Sequence, residues 1–596
     1  MGADDEGRRS EVGPRPLIVQ VTPDVAGLDG KQFDYLVPGS LRDNVRVGTI
    51  VRVGLAGRRV RAWVTAVDDP PPPGVRLSAI SKVTGWGPPP DVVELARWAA
   101  WRWAGRIVHL LDTASPPGVV GSLGERGRSC DDAVLDTDPR VAAALGEGGV
   151  TVLRLAPGAD ALPAIAAALT LGDALVLHPS IDGAKAVGAR LRRAGVDCLL
   201  APRDWAASAA GGRTALGARA AAWAPIPSLA CVVVLDEHDE SHQEERTPSW
   251  HARDVAVERA RRAGVPCLLI SPCPSLEALA SADRVLAPST SEERAGWPIV
   301  EVIDRRDEST STGGLYSPRL VERLREVGRG RAVCVLNRTG RSALLACATC
   351  GEVTRCETCG ASVRQPGDDA VVVCGRCHTE RPRVCQTCGS TGLRNVRAGV
   401  RRVREELEAL VGEPVGEITA SGAVLPDARV VIGTEAALHH WGGPLATVAY
   451  LEIDQELLAP RYRAAEQTLG LIARGAALLG PRAHGGRLLL QTRQPDHVVV
   501  VAAHHADPTR VAEHERAQRQ ALGFPPFGAI AAISGPAAPE LVASLDSMLA
   551  RPVTLDGPAD GRWLLRAPTS EALADTLASV PRPPGRIRIE VDPLRI

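Results

Sequence analysis

Between Leu17 and Val67, apolar and polar residues alternate in short runs, Leu17–Val21, Phe33–Val37, Thr49–Val53 and Arg61–Val67, parted by Gly and Pro. A period of two broken by turn residues predicts the strands of a small β-rich domain. The prolines Pro70–Pro73 interrupt it, and Pro88–Pro90 lead into a helix expected over Asp91–Leu111 with Asp91 as its N-cap. Gly118–Asp138 is polar, Gly-rich and aperiodic and reads as a linker. From about Val150 apolar runs alternate with Ala-rich amphipathic segments: strand Ala174–Leu177 then helix Gly183–Ala194, strand Cys231–Leu235 then helix Ala252–Ala263, then strand Cys267–Ile270. This is the βαβ rhythm of a parallel sheet. A second such unit begins near Trp297 with strand Ala332–Leu336, is interrupted by a cysteine block, and resumes with helix Val400–Leu410. It continues through strands Arg429–Ile432 and Val448–Glu452, helix Arg463–Leu479 and strand Arg487–Gln491. After Pro495, helix Pro508–Leu522 and strands near Ala529–Ile533 and Ile587–Val591 form a third region, and no internal repeat is evident.

The fold class expected is therefore a multidomain α/β chain. Its parts are a polar tail (1–15), a small β-rich domain (16–117), a linker (118–148), two parallel-sheet lobes (149–296 and 297–495) with an insert at 345–392, and an α+β C-terminal domain (496–596). The longest apolar runs, such as Ala230–Leu235 and Val498–Ala503, are strand-sized, so no membrane span is expected. The polar start, Met1–Pro16, reads as a flexible tail instead of a targeting signal, which points to the cytoplasm.

Composition changes the picture in one respect. With 69 basic and 70 acidic residues the net charge is near zero, and only local patches bear on nucleic-acid binding. Yet Lys31, Lys82 and Lys185 are the only lysines. A Walker A loop needs Gly-Lys-Ser/Thr, its lysine reaching the β- and γ-phosphates. Lys31 follows Gly30 but precedes Gln32, and neither Lys82 nor Lys185 precedes a hydroxyl residue, so an ordinary P-loop is missing.

The most specific chemistry lies in four C-x-x-C pairs: Cys347/Cys350, Cys356/Cys359, Cys374/Cys377 and Cys385/Cys388. One pair grips one side of a Zn²⁺ ion and a second closes the tetrahedron, so four pairs predict two structural Cys₄ zincs, paired either in sequence or nested. The remaining cysteines, Cys130, Cys198, Cys231, Cys267, Cys273 and Cys334, are scattered in largely apolar surroundings that suit a reducing compartment.

Two parallel-sheet lobes with a double-zinc insert after the first strand of the second lobe resemble the bacterial replication-restart PriA family (primosomal protein N-prime). Phe33-Asp34-Tyr35 followed by Val37-Pro38 resembles its N-terminal DNA-end-binding motif. Asp236-Glu237-His238-Asp239 with Ala252-Arg253-Asp254-Val255-Ala256 resembles its acidic helicase motif and downstream helix. Leu336-Asn337-Arg338-Thr339-Gly340, Val431-Ile432-Gly433-Thr434-Glu435 and Leu522-Gly523-Phe524-Pro525-Pro526-Phe527 match later landmarks, collinear over most of 16–530.

The departures fall on the motor. Where the family carries Walker A, the chain reads Ala156-Pro157-Gly158-Ala159-Asp160-Ala161-Leu162. Aligned without a gap, Leu235 replaces the Mg²⁺-binding aspartate; a one-residue slip would rescue Asp236 and Glu237 but not the lysine. The Ser-Ala-Thr motif becomes Ser271-Pro272-Cys273, and the last motif becomes Arg474-Gly475-Ala476-Ala477-Leu478, which breaks the arginine-finger spacing. Phosphoryl transfer depends on positioning and charge stabilisation, and an arginine finger alone is worth roughly 10³–10⁵ in rate, so these losses compound. No catalytic and no nucleotide-binding residue is expected.

The resemblance implies a protein that binds stalled or branched forks, 3′ ends and D-loops near the nucleoid. It further implies recruitment of primosome proteins, a replicative helicase or its loader, and single-stranded-DNA-binding protein. It maps strand-end recognition to Asp34 with Phe33 beside it, places Ser78 at the family's nearby lysine, and leaves Gly118–Gly148 too short and polar for a winged helix. It implies the nested zinc sets Cys347/Cys350/Cys385/Cys388 and Cys356/Cys359/Cys374/Cys377. The rival readings are an active ATP-dependent 3′-to-5′ helicase and a zinc-ribbon scaffold without a DNA role.

Two arginine clusters are candidates for phosphate contact: Arg319, Arg323, Arg325, Arg329, Arg331 and Arg394, Arg397, Arg401, Arg402, Arg404. In the second, Arg401/Glu405 and Arg402/Glu406 are i,i+4 pairs that an ordinary solvated helix explains equally. Trp98, Trp101 and Trp103 could stack on bases, but their spacing favours core. His238, His242 and His251 invite a metal reading that nothing in the sequence organises.

Overall fold

The computed structural model describes residues 17–28, 30–67, 77–128, 135–307, 315–328, 330–336, 345–365, 370–374, 377–395, 400–418, 427–441, 443–548 and 552–595. The tail, Pro70–Pro73, Cys130, Arg329, Arg397 and Asn337–Gly340 lie outside them, as do the side chains of Arg394, Arg401 and Arg402.

The alternating N-terminal runs form β1 (Leu17–Pro23), β2 (Phe33–Val37), β3 (Ile50–Leu55), β4 (Arg58–Val67), β5 (Ser78–Ala79) and β6 (Lys82–Gly85), in the order β5-β2-β1-β4-β3-β6. β5 and β6 follow one another along one extended stretch that pairs first with β2 and then with β3, which closes the sheet on itself. Inward residues such as Val19, Tyr35, Val51, Val53 and Val64 fill it, and the Tyr35 hydroxyl donates to the Gly54 carbonyl (2.8 Å).

The helix expected over Asp91–Leu111 is two helices, Pro90–Arg102 and Ile107–Ala114. Ala104 lies at φ +45°, a left-handed backbone that ends the first helix. The cap is Pro89, not Asp91, since Pro90 with its fixed φ already stands in the first turn. Part of the expected linker is also a helix, Pro139–Gly146: the Asp138 carboxylate caps it and Val141 and Leu145 bury against the first lobe.

The first lobe is a parallel seven-stranded sheet in the order Arg284–Leu286, Val150–Arg154, Cys267–Ser271, Leu229–Leu235, Asp173–Leu177, Thr214–Gly217, Cys198–Leu200. The second is a parallel six-stranded sheet in the order Ile299–Asp304, Arg487–Thr492, Thr447–Tyr450, Ala332–Val335, Val430–Gly433, Val415–Ile418. The apolar run Val498–Ala503 lies in a helix, Val498–His505, because His497 accepts the Val499 N–H at its start and Val499, Val500, Ala502 and Ala503 bury in the second lobe. The C-terminal region is an antiparallel four-stranded sheet, Thr554–Ala559, Arg562–Ala567, Ala529–Ser534, Arg588–Val591.

These parts share cores. One cluster joins Trp63, the two helices after the N-terminal sheet, one face of the first lobe and the C-terminal sheet. Trp98 packs edge-on against buried Trp103, while Trp101 donates from its indole to Asp575 (2.9 Å) and so ties the N-terminal helices to the C-terminal region. Among the described residues no helix is long and apolar enough to cross a membrane.

Candidate metal centres, nucleotide cleft and nucleic-acid interface

The insert leaves the second lobe through the strand Leu345–Cys347 and returns through Leu393–Asn395, which pairs with it antiparallel. Each C-x-x-C turn ends in a left-handed residue: Gly351, Gly360, His378 and Gly389, with φ of 79°, 72°, 57° and 73°. That turn frees backbone N–H groups to point at sulfur, as Thr349 N–H does to Cys347 Sγ and Thr358 N–H to Cys356 Sγ (both 3.4 Å). Cys347 sits 3.5 Å from Cys388 and Cys350 3.6 Å from Cys385; Cys356 sits 3.4 Å from Cys377 and Cys359 3.5 Å from Cys374. The structure thus groups the eight in the nested pairing, each set within 4.8 Å, and these are the only such groups among the described residues. Tetrahedral thiolates at Zn–S of about 2.3 Å would stand about 3.8 Å apart, so both sets fit one metal ion each. Burial alone would raise the Cys347 thiol, but the Cys350 and Thr349 backbone N–H groups and neighbouring sulfurs bring it down to about 6. The other described cysteines are buried and apart from these sets, and burial pushes Cys231 up to about 12.

The cleft between the lobes has a volume of about 520 Å³, and Gly158, Asp160, His178, Asp236, Arg474 and Ala477 lie on its wall. At the turn into the helix Leu162–Leu169, where a phosphate would meet the first N–H groups, the Asp160 carboxylate accepts the Leu162 N–H (3.0 Å) and a two-pronged ion pair from Arg190 (2.8 and 2.6 Å). Arg190 holds Asp160 below its ordinary range, so it is ionised at neutral pH. From the second lobe, Ala477 approaches so closely that a Cβ at Gly158 would stand 2.8 Å from its carbonyl oxygen. Leu235 is buried at its strand end. Glu237, fully buried, accepts from the Ser275 N–H and Oγ (both 2.8 Å) and pairs with Arg253 (3.2 Å). It is therefore a structural acceptor turned away from the cleft, and of the two adjacent acids it is Asp236, at φ +45°, that lines the wall along with Asp160. Ser271 Oγ bonds His238 Nδ1 (2.8 Å), and Arg474 crosses the cleft to Asp239 while also meeting His439 Nδ1 of its own lobe (3.1 Å).

Behind the cleft lies a buried charge node that the sequence did not show. Arg519, in the helix Thr509–Leu522, reaches Glu277 of the first lobe (3.4 Å), Glu466 of the second, and Glu515 in its own helix (2.9 Å). Arg463 also pairs with Glu277 (2.7 Å), and the Leu276 N–H donates to Glu466 (2.9 Å).

Among the described residues His238, His242 and His251 form no metal-ligand group. His242 Nε2 lies 2.9 Å from the Leu235 carbonyl oxygen, and His251 caps the helix Ala252–Ala263 through the Arg253 N–H (3.1 Å). Nor are Arg319, Arg323 and Arg325 of the first arginine cluster free for phosphate: Arg319 and Arg323 pair with Glu301, Glu322 and Glu326, and Arg325 donates to the Leu410 carbonyl. In the second cluster Arg404 pairs loosely with Glu408 (4.0 Å).

On the N-terminal sheet Asp34 and Phe33 are half-buried, and the Asp34 carboxylate has no hydrogen-bond or ion-pair partner among the described residues. Ser78 is exposed on β5 opposite Tyr35, with no cation beside it in the register.

Residues 20–116 match the family model for the 3′ DNA-binding domain of PriA. A relative from Mycobacterium bovis, named "Probable replication restart protein PriA", is 30% identical over 571 residues, covering 85% of this chain and 85% of that one. This chain belongs to the PriA replication-restart family. PriA proteins of Bacillus subtilis and Treponema pallidum are 28% and 30% identical, over 54% and 60% of this chain. Those two alignments span only about half the length of the relatives, 43% and 55%. The PriA membership accounts for the architecture, and the N-terminal domain is similar to the family's 3′ DNA-binding domain.

Proposed function

We propose that this chain acts in replication restart as a fork-recognition and recruitment protein that does not hydrolyse nucleotide. The observation that carries the proposal is Asp160. An ionised carboxylate, fixed by Arg190 and by the Leu162 N–H, occupies the loop-to-helix junction that would cradle phosphate, so a nucleotide would meet a negative charge where it needs donors. The lysine and hydroxyl of a P-loop are missing from the same loop. Glu237 is committed to Ser275 and Arg253, and Arg474 to Asp239.

In this reading Asp34 receives a strand's 3′ end. A carboxylate accepts a hydrogen bond from a terminal 3′-OH and repels a continuing phosphate, so it separates ends from interior strand. The unpartnered state of Asp34 supports the assignment. Both Cys₄ sets hold zinc, and the insert they stabilise docks primosome partners that reload the replicative helicase. The divisions at 16–117, 149–296, 297–495 and 496–596 are the working domains, with the helix Val498–His505 packed onto the second lobe across the last boundary.

The test is a fork-binding titration and a DNA-stimulated ATP hydrolysis assay on the same zinc-loaded protein. Fork binding with hydrolysis at background is expected. Turnover well above background would overturn the motor-less reading, and failure to prefer forks over plain duplex across a salt series would overturn the restart role.

A further inference from the structure

The N-terminal sheet carries a row of cations that only its register reveals. Lys82 on β6 stands directly opposite Arg52 on β3, which stands directly opposite Arg61 on β4. All three point outward, since the alternate residues Val51, Val53 and Ala62 fill the interior. Arg59 joins the same face one step along, opposite Gly54. Facing side chains on neighbouring strands have Cβ atoms about 5 Å apart, and like charges so placed destabilise a sheet. Only Arg61 is relieved: it pairs with Asp112 (2.6 Å) and lies over the Trp63 ring. Arg52, Arg59 and Lys82 are exposed and form no ion pair among the described residues.

The row borders a cleft of about 570 Å³ between the sheet face and Pro116–Val120, on whose wall Arg52 and Arg61 stand. Thr84, two residues on from Lys82, lines the same cleft with a buried hydroxyl that has no hydrogen-bond partner among the described residues. An uncompensated cation pair beside an orphan hydroxyl is a donor set short of an anionic acceptor. Lys82 also lies four residues beyond Ser78 along the stretch that closes the sheet, about 13 Å at strand rise. A strand whose end sits at Asp34 therefore has this row within a few nucleotides of its terminus.

We infer that Lys82 and Arg52 form a second DNA contact, a phosphodiester clamp that holds the strand upstream of the end bound at Asp34. Phosphate oxygens accept from both side chains, and the clamp carries no sequence information because it reads only backbone. The inference rests on the DNA-end-binding role proposed above.

The test compares wild type, the double variant Arg52→Gln/Lys82→Gln, and Asp34→Asn, titrated across a salt series with forks ending in 3′-OH or 3′-phosphate. Each single-strand phosphate that the protein ceases to neutralise lowers the slope of log K against log salt by about 0.7. The double variant is expected to lose about 0.7 to 1.4 from that slope while keeping its preference for 3′-OH. Asp34→Asn is expected to lose the preference with its slope unchanged. Because the double variant removes a like-charge pair, its melting temperature should not fall, which distinguishes a weakened DNA site from misfolding. An unchanged slope in the double variant would overturn the clamp while leaving the Asp34 role standing. A wild type without end preference would overturn the Asp34 role, and a wild type without DNA binding would overturn both.

Discussion

Replacing Arg519 by Leu should do more than weaken one helix. The guanidinium is 1% exposed and touches carboxylates from three places: Glu277 in the first lobe, Glu466 in the second and Glu515 beside it. Burial opposes its charge, but Glu466 and Glu277 more than compensate and hold it protonated. Removing one partner of a buried ion pair costs about 3–5 kcal/mol, because the remaining charge is stranded without water. Arg463 still neutralises Glu277, which places the expected loss toward the lower end, about 3 kcal/mol. Arg519→Lys keeps the charge but cannot span three acids, so about half that loss is expected. Urea and thermal unfolding followed by tryptophan fluorescence and calorimetry read both effects. With the shared cation gone, the lobes should also separate into more than one unfolding transition. A loss below about 1 kcal/mol, or a single unchanged transition, would refute the idea that this node couples the three parts.

Three further outcomes follow from the same geometry. His242 is buried and neutral, its imidazole pushed down to about 4 by burial against an ordinary 6.5. The unfolded chain therefore binds the extra proton first, and this group's share of stability falls as pH drops from 6.5 toward 4, by about 2 kcal/mol at pH 5; burial also pushes His251, His238 and His178 down, so His242→Gln should make that limb shallower by its own share, and an unchanged limb would refute the assignment. Metal analysis should find two zinc ions per chain, and Cys359→Ser should leave one, because the two sets share no ligand; loss of both, or of neither, would contradict the separate sites. Equilibrium binding of a fluorescent ATP analogue with Mg²⁺ should be undetectable at micromolar concentrations, and saturable binding displaced by ATP would show that Asp160 does not exclude phosphate.

Much of the fold was legible because apolar periodicity is local. The helix Ala252–Ala263 and the strand Phe33–Val37 fall where the pattern put them. Elements the pattern did not assign were those decided by tertiary packing or caps. Val498–Ala503 is a strand-sized apolar run, and His497 and burial in the second lobe make it helical. Pro139–Gly146 is too brief to announce itself without the Asp138 cap. At the candidate sites, spacing showed the cysteine pairs but not which pairs meet, since that needs the return of the strand Leu393–Asn395. The arginines that looked available, Arg319 and Arg323, meet acids brought from Glu301 on another element. Arg52 and Lys82, which form no ion pair among the described residues, lie far apart in sequence and become neighbours only through the β3–β6 register.

Among the described residues the insert is held to the second lobe by more than its neck. Its neck is the ladder of Leu345–Cys347 with Leu393–Asn395, and a second bond runs from the Ser362 N–H to the Leu458 carbonyl (2.8 Å), just past the helix Asp454–Leu457. A single neck would behave as a swivel. Attachment beyond the neck makes a bracket, so a load on the insert is transmitted as torque to the second lobe instead of being dissipated in rotation about the stalk.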